Sequence, residues 1–83
     1  MEQSVRYFGL GSIMGKKLHS VNVHYASDLQ RMGSKEAVSL LKEKYPNTRV
    51  DTLYRIEAAL RGVETKQLDD ACKADLREYF KQL

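Results

Sequence analysis

A single cysteine, Cys72, excludes an internal disulfide and a metal site built from a cysteine cluster. No apolar run approaches the roughly 18 residues that a membrane-spanning helix needs, so no membrane partner is expected. The opening MEQSVRYFGLGS has an early acid and no apolar segment, unlike a secretory leader. The expectation from these absences is a cytoplasmic protein. Low-complexity tracts, internal repeats and linkers are also lacking, and residues 1–83 read as one small domain. No constellation of nucleophile, base and metal ligands stands out. The chain is therefore read as a non-enzyme, with no cofactor, no metal and no small-molecule substrate.

What remains is a chain of 42% hydrophobic and 30% charged residues, the balance of a soluble globular fold. Its net charge of +3 is unevenly spread. Residues 1–50 hold eight Lys/Arg against four Asp/Glu, whereas residues 51–83 hold six against seven. The N-terminal part is mildly suited to a polyanion, though an ordinary solvated surface reads the same way.

No alternating strand pattern competes with the helical spacing, so the fold class expected is all-α, about five short helices around one core. Ser12 is read as the cap of a helix running to about Val21, with Met14, Leu18 and Val21 on one stripe and Asn22 as a left-handed stop. Gly15 within that helix implies close packing by another element. A short helix at 26–32 ends at Gly33. Ser34 then caps residues 35–45, with Ala37, Leu40, Leu41 and Tyr45 on one face and Pro46 as the stop. Asp51 or Thr52 opens a helix carrying Leu53, Ile56 and Leu60, which Gly62 closes. Asp69 or Asp70 starts the last one, with Cys72, Leu76, Tyr79, Phe80 and Leu83 as its apolar stripe.

Residues 9–29, GLGSIMGKKLHSVNVHYASDL, carry the clearest motif. Gly9 and Gly11 bracket Leu10, an apolar helix face follows, and Leu29 supplies a second anchor. This order resembles the helix-hairpin-helix (SAM-like) motif. Glycines there permit positive φ and leave backbone N–H groups uncovered, and the helix that follows directs its own N–H groups the same way. A phosphate fits such a place. Gly9, Leu10, Gly11 and Ser12, with Lys16, Lys17 and Arg6 around them, are thus candidate contacts to a nucleic-acid backbone. The bland alternatives are a packing turn and a solvated face. A different reading uses Phe8, Leu10 and Ile13 as an apolar surface for a protein partner or a second copy of the chain. It draws on the few residues before Gly9, which leave about one turn for the first hairpin helix.

The run DLQRMGSKEAVSLLKEKYPNTRVDTLYRIEAALRGVETKQL resembles the C-terminal domain of TfoX, the bacterial regulator of DNA-transformation competence. An apolar DL segment precedes Gly, small residues and Ala. An apolar helix and a turn come next, then Leu53-Tyr54-Arg55-Ile56-Glu57-Ala58-Ala59-Leu60-Arg61-Gly62. The resemblance covers about residues 7–70. It implies a helix-hairpin-helix-like fold, a regulatory role linked to competence or transcription control with DNA or a transcription-related protein as the expected partner, and no catalytic residues. The N-terminal half of full-length TfoX proteins has no counterpart in this chain, so a free-standing or excised C-terminal domain is expected.

Glu57 shares a face with Leu53, Ile56 and Leu60, and a carboxylate there needs donors. A helix start or loop near Gly33–Lys35 is the expected source. His19 and His24 are five apart across a helix end and read as surface histidines rather than paired ligands. Tyr25 and Tyr54 read as packing residues, and Cys72 as a small buried hydrophobe.

Overall fold

Residues 10–83 are described by the computed structural model. Four α-helices follow one another: α1 (Gly11–Ser20), α2 (Ala26–Lys44), α3 (Val50–Arg61) and α4 (Asp70–Lys81), with a 3₁₀ turn at Thr65–Gln67 before the last. The domain is all-α. The break expected at Gly33 is present within α2, where φ 83 and ψ 167 are far from helical values. Few residues other than glycine tolerate that conformation. The two limbs of α2, with the other three helices, make the five segments that the sequence spacing predicts.

The helix ends follow local chemistry. Past α1, Asn22 takes φ 68, and the N–H groups of Asn22 and Val23 return to the carbonyls of His19 and Leu18 at 3.1 and 2.9 Å. Gly62 repeats this past α3, with φ 71, as Gly62 and Val63 donate to Ala59 and Ala58. Both closures satisfy carbonyls that a helix end leaves unpaired. At the start of α2, the Asp28 carboxylate accepts from the N–H groups of Tyr25 and His24 at 3.1 and 3.3 Å. Asp69 caps α4 by accepting from Cys72 N–H at 2.7 Å. Pro46 lies just beyond α2, which ends at Lys44.

Two helix starts differ from the sequence reading. The cap of α1 is Leu10, and Ser12 lies inside the helix. Gly11 at φ 82 turns the chain early enough for the helix to begin there. The cap of α3 is Arg49 in extended conformation, so Asp51 falls in the first turn instead of opening the helix. Its charge still suits the positive end of the helix.

The single core expected is divided into two clusters. The first gathers Leu10, Met14, Leu18, Val23, Leu29, Ala37, Leu41 and Ile56. The second gathers Val38, Leu53, Tyr54, Ala58, Leu68 and Leu76, with Cys72, Tyr79 and Phe80 half-buried against it. Helices α2 and α3 serve both. Adjacent residues Ala37 and Val38 therefore face different clusters, and Val38 is buried although it lies off the stripe read from the sequence. Gly15 is buried, as a small residue under close packing should be. Leu83, read as the end of the α4 stripe, is 41% exposed. Cys72 is half-buried rather than buried.

Candidate functional site

The start of α1 is built by opposed demands on one residue. The Leu10 side chain is 2% exposed and belongs to the first cluster, while its backbone caps the helix. A leucine side chain has no acceptor to offer the first N–H groups of the helix. The first turn carries no acid. From α3, the Arg55 guanidinium crosses to donate to the Leu10 carbonyl at 3.1 Å. A fixed cation thus stands beside the glycine turn, 45 positions away in sequence. No local signal marks Arg55, which reads as one exposed charge between two apolar neighbours.

The other candidates fall around this turn as follows. Gly11 takes the positive φ that the hairpin motif requires. Lys16 is exposed one turn further on. Lys17 is half-buried and lies over the Tyr45 ring at 5.2 Å, a ring that Lys44 also approaches, at 6.0 Å. The Tyr45 hydroxyl is 2.9 Å from Ser20 Oγ, which ties the end of α2 to the end of α1. Ile13 is 75% exposed. Arg6, Phe8 and Gly9 lie outside the described residues. An apolar docking surface that includes the Leu10 side chain is overturned, because that side chain fills the core.

Glu57 forms a second polar centre. Its Oε1 accepts from Ser34 Oγ at 2.6 Å, and its Oε2 from Arg61 Nε at 2.6 Å. The donor supplied by the 33–35 segment is therefore the Ser34 hydroxyl. Partial burial works to raise the Glu57 carboxyl, but the hydrogen bonds from Ser34 and Arg61 and the charges of Arg61 and Lys35 outweigh it. The group is held below its ordinary value. Lys35 also pairs with Asp75 of α4 at 2.8 Å, so the kink of α2 is tied to both α3 and α4. This centre joins three helices.

Three residues depart from their sequence reading. Tyr25, taken as a packing residue, is 47% exposed, whereas Tyr54 is buried in the second cluster. His19 and His24 come together, with their Nδ1 atoms 2.7 Å apart. The left-handed turn at Asn22 brings them within reach, which a count along a regular helix does not anticipate.

Among the described residues no group of three or more His, Cys, Asp or Glu is gathered for a metal ion, and no helix is long and apolar enough to cross a membrane.

The TfoX C-terminal domain family matches residues 10–80 of the chain. No curated protein matches it. Among solved structures, an uncharacterized protein from Listeria monocytogenes is similar, with a TM-score of 0.85 and 26% sequence identity. The alignment covers 89% of this chain and 84% of that one.

Proposed function

The chain belongs to the TfoX C-terminal domain family, and from that premise we propose that it is a non-catalytic regulatory module that docks on a nucleic-acid backbone through the start of α1. Family membership supports a regulatory role, and competence or transcription control is the setting that we infer from it. One observation carries the choice of surface. The acid-free first turn of α1 is capped by Leu10, whose side chain offers it no acceptor, and Arg55 is anchored at the Leu10 carbonyl. A helix start with a guanidinium bonded to its cap residue suits a phosphate. Lys16 extends the positive surface along the helix, and Lys17 borders it. Such contacts read phosphates and not bases, so binding is weak and independent of sequence.

Salt dependence is the signature. If Arg55, Lys16 and Lys17 each neutralise one phosphate, log K falls against log salt with a slope of about −3 on duplex DNA. The test is a titration of duplex DNA into isotopically labelled protein at low and at moderate salt. Shifts at residues 10–17 and at Arg55 that vanish as salt rises are the expected result. Absence of shifts at low salt, or undiminished affinity in the Lys16→Glu/Lys17→Glu variant, sinks the proposal.

The exposure of Ile13 favours a second reading, in which the same end of α1 meets a protein or a second copy of the chain. In that case Ile13→Ser abolishes association, and the DNA titration is silent.

A further inference from the structure

An open cleft of about 690 Å³ runs along one stripe of α3. Arg55, Ala58, Ala59 and Gly62 line it at the i, i+3, i+4, i+7 spacing of one helix face. That stretch of helix sets its length at about 10 Å. The chain beyond Gly62 forms the other wall. Small residues along the stripe leave the space open, and a Cβ at Gly62 would meet no atom within 4 Å. The far wall is held in place. Gly62 and Val63 donate back to Ala59 and Ala58, and the Glu64 N–H donates to Gln67 Oε1 at 2.7 Å. The Thr65 hydroxyl and the Gln67 amide nitrogen, both on residues lining the cleft, make no hydrogen bond among the described residues. Glu64 is paired with Lys66 at 3.2 Å, which leaves Arg55 as the unbalanced charge of the cleft.

We propose that this cleft seats the sugar and base of one unpaired nucleotide whose phosphate is held at Arg55, so that the partner of the docking surface is a single-stranded nucleic acid. The role of the cleft rests on phosphate docking at the start of α1. Arg55 makes the two continuous, because it is bonded to the Leu10 carbonyl at 3.1 Å and also lines the cleft. A guanidinium has five donors, so the bond to Leu10 leaves others for a phosphate. From that anchor the cleft extends along α3 for about the reach of a nucleotide from its phosphate to its base edge. Its middle, at Ala58, Ala59 and Val63, is apolar, and its far end offers the unused hydroxyl and amide donors. An apolar body with a few placed polar groups is the usual lining of a small-ligand site.

Strand state is where the cleft shows itself. Phosphate contacts alone favour a duplex, whose charge density exceeds that of a single strand. Entry of a base reverses this order, because a duplex must first unpair and unstack it. A single strand bears no such cost. Every base edge carries an acceptor for the Thr65 hydroxyl or the Gln67 amide, so entry does not depend on which base arrives.

The experiment titrates the isotopically labelled full chain, at one salt concentration, with a short single-stranded oligonucleotide, with the duplex of the same sequence and with a 5′-mononucleotide. The expected result is tighter binding of the single strand than of the duplex. The single strand shifts residues 10–17, Arg55 and residues 58–67, whereas the duplex leaves 58–67 unmoved. Thr65→Val removes the hydroxyl at nearly constant shape, and it weakens single-strand binding roughly 5-fold, the worth of one hydrogen bond, without changing duplex binding. Shifts at 10–17 with 58–67 silent toward the single strand, or equal affinity for strand and duplex, overturn the cleft and leave the docking surface standing. Silence at 10–17 with both strand forms overturns the docking surface, and the cleft with it. A mononucleotide that binds as tightly as the strand overturns the assignment to a nucleic acid and makes the ligand a free nucleotide.

Discussion

Ser34 Oγ donates to Glu57 Oε1 at 2.6 Å, and this one bond joins the kink of α2 to the middle of α3. Ser34 is 4% exposed and is the buried polar residue of the described chain. Its hydroxyl needs an acceptor, and Glu57 supplies one that is itself held by Arg61. Neither residue has to reach water to be satisfied.

Glu57→Gln tests this bond and its charge together. The amide keeps the shape but loses the charge-assisted bonds from Ser34 and Arg61, at a cost of about 1–3 kcal/mol at neutral pH. Thermal unfolding across a pH series measures it. The carboxyl titrates below 4.5, its ordinary value, in the folded protein and near that value in the unfolded chain. The unfolded state therefore takes up the proton first as pH falls. The stabilisation is full above that value and is lost as pH falls through the folded one. The gap between wild type and Glu57→Gln closes in the same direction. Equal melting temperatures at neutral pH would remove Glu57 from the list of stabilising groups.

Gly33→Ala tests the kink. A Cβ there meets no atom within 4 Å, so no clash opposes the substitution. The backbone does, since φ 83 with ψ 167 belongs to glycine almost alone. A loss of roughly 1–3 kcal/mol is expected in chemical denaturation. A neutral result would mean that the two limbs of α2 straighten at little cost.

Leu10→Ala and Ile13→Ala separate core from surface at the α1 start. Leu10 fills the first cluster, and its truncation costs about 2–5 kcal/mol. Ile13 is 75% exposed, and its truncation stays within about 0.5 kcal/mol. Denaturant unfolding of the two variants reads the difference. Similar losses at both sites would place Ile13 under a covering segment.

Much of this fold is legible in the sequence because its helices end on residues with strong local preferences. Asn22, Gly33 and Gly62 each take positive φ, and each marks a boundary that composition alone points to. Helix starts are less legible. Leu10 and Arg49 cap helices without being capping residues, because tertiary packing and an extended backbone fix those turns. The stripe rule assumes one buried face, so it misses Val38, which a helix between two clusters buries on another side. The candidate site divides in the same way. The glycine turn is written in neighbouring residues, whereas Arg55 joins it from another helix and the histidines meet through a reversal of the chain. Contacts of that kind depend on how elements pack, and no local spacing encodes them.

Two clusters sharing α2 and α3 also set the order in which the domain opens. Leu76 is the fully buried residue of α4, while Cys72, Tyr79 and Phe80 are only half covered. The first cluster takes no buried residue from α4. Amide hydrogens of α4 therefore exchange through a partial opening that leaves α1 to α3 folded, while those around Leu18, Leu29 and Leu41 wait for global unfolding.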